Sequence, residues 1–499
     1  MRSPLPLALL SALFPVLLSV LTTPFHASFA PQDPENASVP AAEPGSPAER
    51  AIAAQVDEER GVARVRALCA FGARMGGTAS GDAAALYRAD AFLDAGLDVE
   101  IVLDSEKWAH QEDAWSVRVV GDGVSIELES PWPYGFSPAG AGRAPLALEA
   151  ADGVALLAER SPGGRRGRRG GGDQDEERAP TPAVVLVDGA ATSDGSYPKV
   201  SHLRAGPDNP YPVFGISKPE GDALRARLAQ GAQLFVEWSL DARIERARPR
   251  TVIATLEARE GAEPGYFLFC AHGDSDAGGP GADDNASGES ILIEIATAWS
   301  AAIASGTAPR PAREVHFAIW GSEIHSTRDF LGEHMLQGGP ILGVINYDQA
   351  GFGSGADQLN VEPDDVPANV ALVRAALSVL DEFGGTPGFP ARWATNKSLG
   401  GTDSYVFSGS KHFQENALPA LTLFTSAWDE PEHHARTEGM PGESWSDSDT
   451  VYVDYDVYYH SAGDTPENTT DKEPWNIAWC ARVGALTASR WLERLDRGQ

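Results

Sequence analysis

The sequence predicts an α/β fold: a three-layer sandwich around a mostly parallel sheet, with a β-rich domain inserted in it. Two observations carry this. From Thr251 onward, short apolar runs alternate with segments of helical period, the pattern of strands joined by crossover helices. Between about residues 112 and 248 the texture changes to short alternating runs punctuated by turn residues, as in Trp115-Ser-Val-Arg-Val and Val124-Ser-Ile-Glu-Leu. The expected boundaries are 49–111 and 249–499 for the main domain and 112–248 for the insert.

The elements follow in order. Ile52, Val56, Val62, Val65 and Leu68 are apolar among charges and mark a helical region from about Glu49. Gly76-Gly77-Thr78 breaks it, and a second helix runs from about Gly81 to Leu93, stopping near Gly96. Inside the insert, Ala183–Val187, Tyr211–Ser217 and Gln233–Trp238 read as strands and Gly221–Ala229 as a helix. The stretch from Gly163 to Arg178 carries arginines followed by acids between strands and reads as a surface loop. After the insert, Thr251–Leu256, Tyr266–Cys270, Glu314–Trp320, Leu342–Tyr347 and Ala420–Phe424 are strands. Ala286–Ala301, Thr327–Leu336, Pro367–Phe383 and Pro474–Leu495 are helices.

A length of 499 residues suggests two or more domains, and 42% apolar content is enough for sizeable cores. The formal net charge of −32 argues against nucleic-acid binding and against attraction to anionic membranes. Its simplest meaning is a strongly solvated surface. Three cysteines, Cys69, Cys270 and Cys480, cannot build a disulfide framework, and Cys270 reads as a small buried residue. Residues 1–30 have a basic start, an apolar run from Leu5 to Leu21, and small residues at Ala27 and Ala30. They read as a secretory signal peptide, with an uncleaved N-terminal anchor as the competing reading. A secreted or periplasmic location is expected. Residues 31–48, rich in Pro, Ala, Ser and Glu, read as a disordered linker.

The chemistry concentrates where strands end. His272, Glu323 and Asp348 each follow a strand of the main series, so they share one edge of the sheet, where such folds bind ligands. His272-Gly-Asp274 and the pair Asp283-Asp284 are separated by glycines before the helix at Ala286. Zinc takes imidazole nitrogen and carboxylate oxygen, and two-metal hydrolases need a bridging ligand. His272 and Asp348 could serve one ion, Asp283 could bridge, and His460 could serve a second. Asp274 suits orientation of the His272 ring through its other N–H. Glu323, in Trp320-Gly-Ser-Glu-Ile-His325, is placed to deprotonate water. Each piece alone has a structural reading; two acids before a helix are usually an N-cap and a first-turn acid.

Together these motifs resemble the secreted zinc peptidases of the aminopeptidase and glutamate-carboxypeptidase family, bacterial leucyl aminopeptidases included. The matching stretches are His272-Gly-Asp274, Gly281–Gly288, Asn346-Tyr-Asp348 and Tyr459-His-Ser-Ala-Gly-Asp-Thr465. The resemblance covers about residues 50–110 and 250–495. It implies a zinc exopeptidase fold and two zinc ions held by His272, Asp283, Asp348 and His460. Glu323 would be the general base, Asp274 would stand behind His272, and peptides would be the substrates. The insert resembles a protease-associated domain. One departure stands out. The family has a Glu-Glu pair, base then ligand, where this chain has Glu323-Ile324. His325 is the candidate replacement ligand, and a slipped alignment would instead pair Ser322 with Glu323. A single-ion enzyme is compatible with this, as is a peptide-binding module of impaired catalysis. Aminopeptidase activity is preferred over carboxypeptidase or dipeptidase activity. Asp403-Ser404-Tyr405, expected to precede a strand, sits where the family builds its substrate pocket. Trp428 could line that pocket, and His433-His434 reads as part of an exposed loop.

Overall fold

A computed structural model describes residues 43–159, 180–189, 192, 195–275, 279–337, 339–353, 358–395, 401–408, 418–425 and 458–498. The signal-peptide region, the arginine-rich stretch after Gly163, Trp428 and His433-His434 lie outside the described residues. The described part begins inside the expected linker, where a helix already starts at Pro47. Ser46 caps it, and Glu49 closes a capping box.

The main sheet has eight strands in the order Asp98–Leu103, Arg250–Leu256, Glu314–Trp320, Tyr266–His272, Ile341–Tyr347, Ala420–Phe424, Gln358–Glu362 and Arg392–Thr395. Its centre is parallel: Tyr266–His272 pairs in parallel with strands on both sides, and Ile341–Tyr347 pairs in parallel with Ala420–Phe424. Antiparallel pairing appears toward the flanks, where Arg250–Leu256 meets both of its neighbours and Gln358–Glu362 meets Ala420–Phe424. The sheet is therefore mixed around a parallel core.

Side-chain alternation builds the three layers, because successive residues of a strand face opposite sides. In the strand Tyr266–His272, Phe267, Phe269 and Ala271 enter one core with Ile291, Ile295, Leu380, Ile477 and Leu486. Tyr266, Leu268 and Cys270 enter the other with Leu331, Val406 and Phe407. The helices Gly288–Ala304, Val370–Phe383 and Trp475–Asp496 thus cover one face, and His325–Gln337 and Asp403–Ser408 the other. Each large side chain buried this way stabilises by roughly 1.5–3 kcal/mol. Asp403-Ser404-Tyr405 starts the short helix Asp403–Ser408.

A second eight-stranded sheet is formed by residues between Lys107 and Ala247. Its two long strands, Lys107–Gly121 and Phe235–Ala247, pair antiparallel along their length and join it to the main sheet. At the neck, the Asp104 amide donates to the Pro249 carbonyl at 3.0 Å, and Arg248 Nε donates to the Asp104 carbonyl at 2.6 Å. The helix Lys218–Ala229 opens with a capping box of Ser217 and Glu220 and buries Leu224 in this sheet's core.

One buried acid in the main sheet carries a pH signature. Glu362 is fully buried; the Tyr405 hydroxyl donates to Oε1, and Oε2 has no hydrogen-bond donor. Burial pushes its pKa up to about 8. A raised carboxyl pKa means the folded state keeps a proton that the unfolded chain has already lost. Stability is therefore full below the ordinary carboxyl pKa of about 4.3 and falls as pH rises toward 8. Glu362→Gln is expected to raise the urea midpoint more at pH 9 than at pH 5. An equal change at both pH values would contradict this assignment.

Candidate metal centre

The site forms at the carboxyl ends of the central parallel strands. His272 is the last residue of its strand and lies level with Trp320 on the neighbouring one. Asp348 directly follows the strand Ile341–Tyr347, and Glu323 comes three residues after Trp320. The loop entering the helix Gly288–Ala304 supplies the remaining acid, fastened to the sheet by Asn285. Its side-chain amide donates to the Tyr347 carbonyl at 2.8 Å, and its oxygen accepts from the Gly288 amide at 3.1 Å.

The acid that enters the site is Asp284, not Asp283. Asp284 Oδ1 lies 3.2 Å from His272 Nε2, and Oδ2 lies 3.2 Å from His460 Nε2. Asp283, expected as the bridge, turns its carboxylate the other way and accepts the Gly351 amide at 2.8 Å. The reason is the backbone of the loop. Asp464 accepts the amides of both Asp283 and Asp284, at 2.8 and 3.0 Å, and Ser287 caps the Asp283 carbonyl. With the backbone fixed there, neighbouring side chains leave in different directions.

The other expected residues lie close by. His272 Nε2 is 3.4 Å from Asp348 Oδ1, whose partner oxygen Oδ2 accepts from the Thr402 hydroxyl at 2.6 Å. Asp274 Oδ1 lies 3.3 Å from His272 Nδ1 and also accepts the Glu323 amide at 2.9 Å. Asp274 thus ties the histidine to the Glu323 loop. His325 does not reach the site. Its ring Nε2 sits 3.0 Å from the Ser105 carbonyl and 3.6 Å from Asp329. Ile324 takes a left-handed backbone, φ 59°, gives its amide to Asp403 Oδ1 at 2.8 Å, and packs against the core that contains Trp320. Asp403 also accepts from the Thr327 hydroxyl, so it anchors the turn behind Glu323.

These carboxylates set the local electrostatics. Burial opposes charge on His272, but Asp348, Asp274 and Asp284 outweigh it and hold its pKa well above the ordinary value. Burial likewise opposes charge on Asp284, yet His272 and His460 hold it well below the usual carboxylate range. Burial pushes Glu323 well above the usual range, and Asp348, Asp403 and Asp284 add to that against the pull of His272. Burial also raises Asp403 to about 7 and Asp464 to about 6.

The donor set fits a cation. Donor atoms of His272, Asp284 and Asp348 all lie within 4.8 Å of one another. Asp348 Oδ1 is buried and has no hydrogen-bond donor. Two carboxylate oxygens converge on His272 Nε2, at 3.2 and 3.4 Å, and positive charge reconciles the three, as a proton on the ring or as a metal ion in its place. One imidazole with carboxylates is a zinc-type donor set.

Two buried arginines hold the loops that carry these ligands. Arg88 Nε bonds Glu289, and its Nη2 donates to the carbonyl of Gly273, between His272 and Asp274. A side chain at Gly273 would meet the Arg88 guanidinium at 2.6 Å, so glycine is needed there. Arg74 lies 3.5 Å from Glu289 Oε1 and donates to the carbonyls of Pro280 and Gly281. Breaking such a buried ion group by removing one partner costs about 3–5 kcal/mol. Sequence reading missed Asp284 as the inward acid, Asp464 and this arginine pair. Asp464 was visible as the acid of Tyr459–Thr465, whereas the arginines lie far away in the chain and gave no local signal.

Comparison with known proteins agrees with this geometry. Residues 251–484 match the model of peptidase family M28. A peptidase M28 precursor from Shewanella amazonensis superposes with a TM-score of 0.58 at 16% identity, covering 89% of this chain and 96% of that one. BSAP, a zinc aminopeptidase from Bacillus subtilis, superposes with a TM-score of 0.54 at 17% identity, covering 87% and 94%. These likenesses establish the fold. The probable lipoprotein aminopeptidase LpqL of Mycobacterium tuberculosis is 32% identical over 121 residues, which span 24% of this chain and 22% of that relative. Fold, site and family match point the same way: residues 251–484 are similar to peptidase family M28.

Proposed function

We propose that the protein is a zinc-dependent aminopeptidase that removes residues from the N-terminal end of peptides. The observation that carries this reading is the Asp284 carboxylate, each oxygen 3.2 Å from a different histidine, beside the buried and undonated oxygen of Asp348. His272, Asp284 and Asp348 would hold one zinc ion, and His460 would bind on the far side of Asp284. When bound, zinc supplies Lewis acidity toward water and toward the scissile carbonyl.

The chain's own groups do the rest. Glu323 takes a proton from the attacking water and passes it to the leaving amine. Asp274 fixes the ring of His272 and the amide of Glu323 together, so ligand and base keep one relative position. Tyr459 stacks on His460 at 3.7 Å. Burial, reinforced by Asp284, Glu323 and Asp348, holds its phenol well above the ordinary pKa, so it stays a hydrogen-bond donor among the acids. The surplus of carboxylates favours a substrate with a free ammonium end over one presenting a carboxylate.

Ile324 sets the ion count. By the motif resemblance Ile324 takes the place of the family's second acid, so we read one tightly held ion and a weaker second. The reading of residues 1–30 supports action outside the cytoplasm, and among the described residues no helix is long and apolar enough to cross a membrane. The β-rich sheet is read as a protease-associated module. LpqL, named a probable aminopeptidase, favours the same activity.

A panel of free-amino and N-blocked peptides tests the reading. Cleavage of the free-amino set is expected, with kcat lowered about 10²–10⁴-fold in Glu323→Gln at unchanged zinc content. Cleavage of the blocked set alone would refute it. Ile324→Glu is expected to tighten the weaker zinc by about tenfold or more in a competition titration, and an unchanged titration would refute the assignment of Ile324 to a ligand position.

A further inference from the structure

The loop that carries His460 rests on the inserted sheet. Lys199 forms an antiparallel bridge with Ser461, and the Val200 amide donates to the His460 carbonyl at 2.9 Å. Tyr197 crosses Tyr458 at 6.0 Å and 77°, and Asn468 donates to both the Tyr197 hydroxyl and the Gly463 carbonyl. His460 itself has a left-handed backbone, φ 53°, which costs energy for a residue with a side chain and needs outside support.

The supporting segment is well rooted. Val200 and Leu203 are buried in a core with Tyr134, Val185, Val187 and Val213 of the second sheet. The Tyr134 hydroxyl donates to the Lys199 carbonyl at 3.1 Å, and the Gly135 amide donates to the Ser201 carbonyl at 3.2 Å. On the other side of the loop, Asp464 holds the amides of Asp283 and Asp284. The loop is thus gripped at both ends, by the insert before Gly463 and by the ligand-bearing turn after it. Gly463 lets the two surfaces meet: a side chain there would lie 2.7 Å from the Tyr197 ring and 2.8 Å from Tyr458.

We propose that Tyr197–Val200 is a positioning strap through which the inserted sheet sets His460 as a metal ligand. This rests on reading His460 as a ligand. The contacts of the strap run to the loop of His460, so it governs the ion edge shared by Asp284 and His460. The insert is on this account a built part of the metal centre, and the affinity of the weaker ion depends on it.

The test is a Co²⁺ titration of the metal-free, full-length protein, followed by visible absorption, with thermal unfolding measured alongside. Tyr197→Ala removes the ring from the loop, Gly463→Ala pushes strap and loop apart, and Tyr197→Phe keeps the packing. In Tyr197→Ala and Gly463→Ala the His460-dependent step is expected to weaken by about tenfold or more, with the other step retained. Tyr197→Phe is expected to titrate like the wild type. His460→Ala identifies the step concerned. Wild-type titration by both Tyr197→Ala and Gly463→Ala would overturn the strap. Equal weakening of both steps in those variants would also overturn it, marking a general loss of structure. If His460→Ala binds metal as the wild type does, the ligand reading of His460 fails, and the strap fails with it.

Discussion

Acidic groups crowding one buried imidazole are the constraint on which the rest of the site depends. Asp274, Asp284 and Asp348 all lie within 3.4 Å of the nitrogens of His272. Like charges so close in a buried setting repel strongly, and a cation among them removes the conflict. The surroundings hold that arrangement in place. Asp464 sets the backbone of the Asp283-Asp284 turn, and Asn285 fastens it to the strand before Asp348. Arg88 and Arg74 share Glu289 while gripping the carbonyls on either side of the acidic loop. The parallel centre of the sheet supplies the common edge.

Much of this was legible in the sequence because it is local. Apolar runs ending in His272, Trp320 and Tyr347 announce strands, and the chemistry directly after each strand follows from the geometry of parallel sheets. What failed was what depends on distant partners. Asp283 and Asp284 are indistinguishable as letters. Their roles separate because the amide of Gly351, far along the chain, donates to the first and leaves the second facing the histidines. His325 looked like a spare ligand beside Ile324, but the left-handed turn at Ile324 and the carbonyl of Ser105 send its ring elsewhere. The edge strand Asp98–Leu103 went unread because its identity comes from pairing with Arg250–Leu256, across the entire insert.

The insert shows the same distinction. Its strands were visible as alternating runs, whereas its contact with the His460 loop was not. Val200 and Ser461 are far apart in sequence, and neither carries chemistry of its own. Their backbone contacts link a sheet that looks peripheral to the loop of His460. His460 is braced through its own loop, by Lys199 and Val200 on one side and by Asp464 on the other.

Anomalous diffraction at the zinc edge, from crystals grown with zinc, tests the central claim most directly. A strong peak is expected among His272 Nε2, Asp284 and Asp348 Oδ1, with Asp283 still bound to the Gly351 amide. A peak coordinated by Asp283, or no peak between His272 and Asp348, would contradict it.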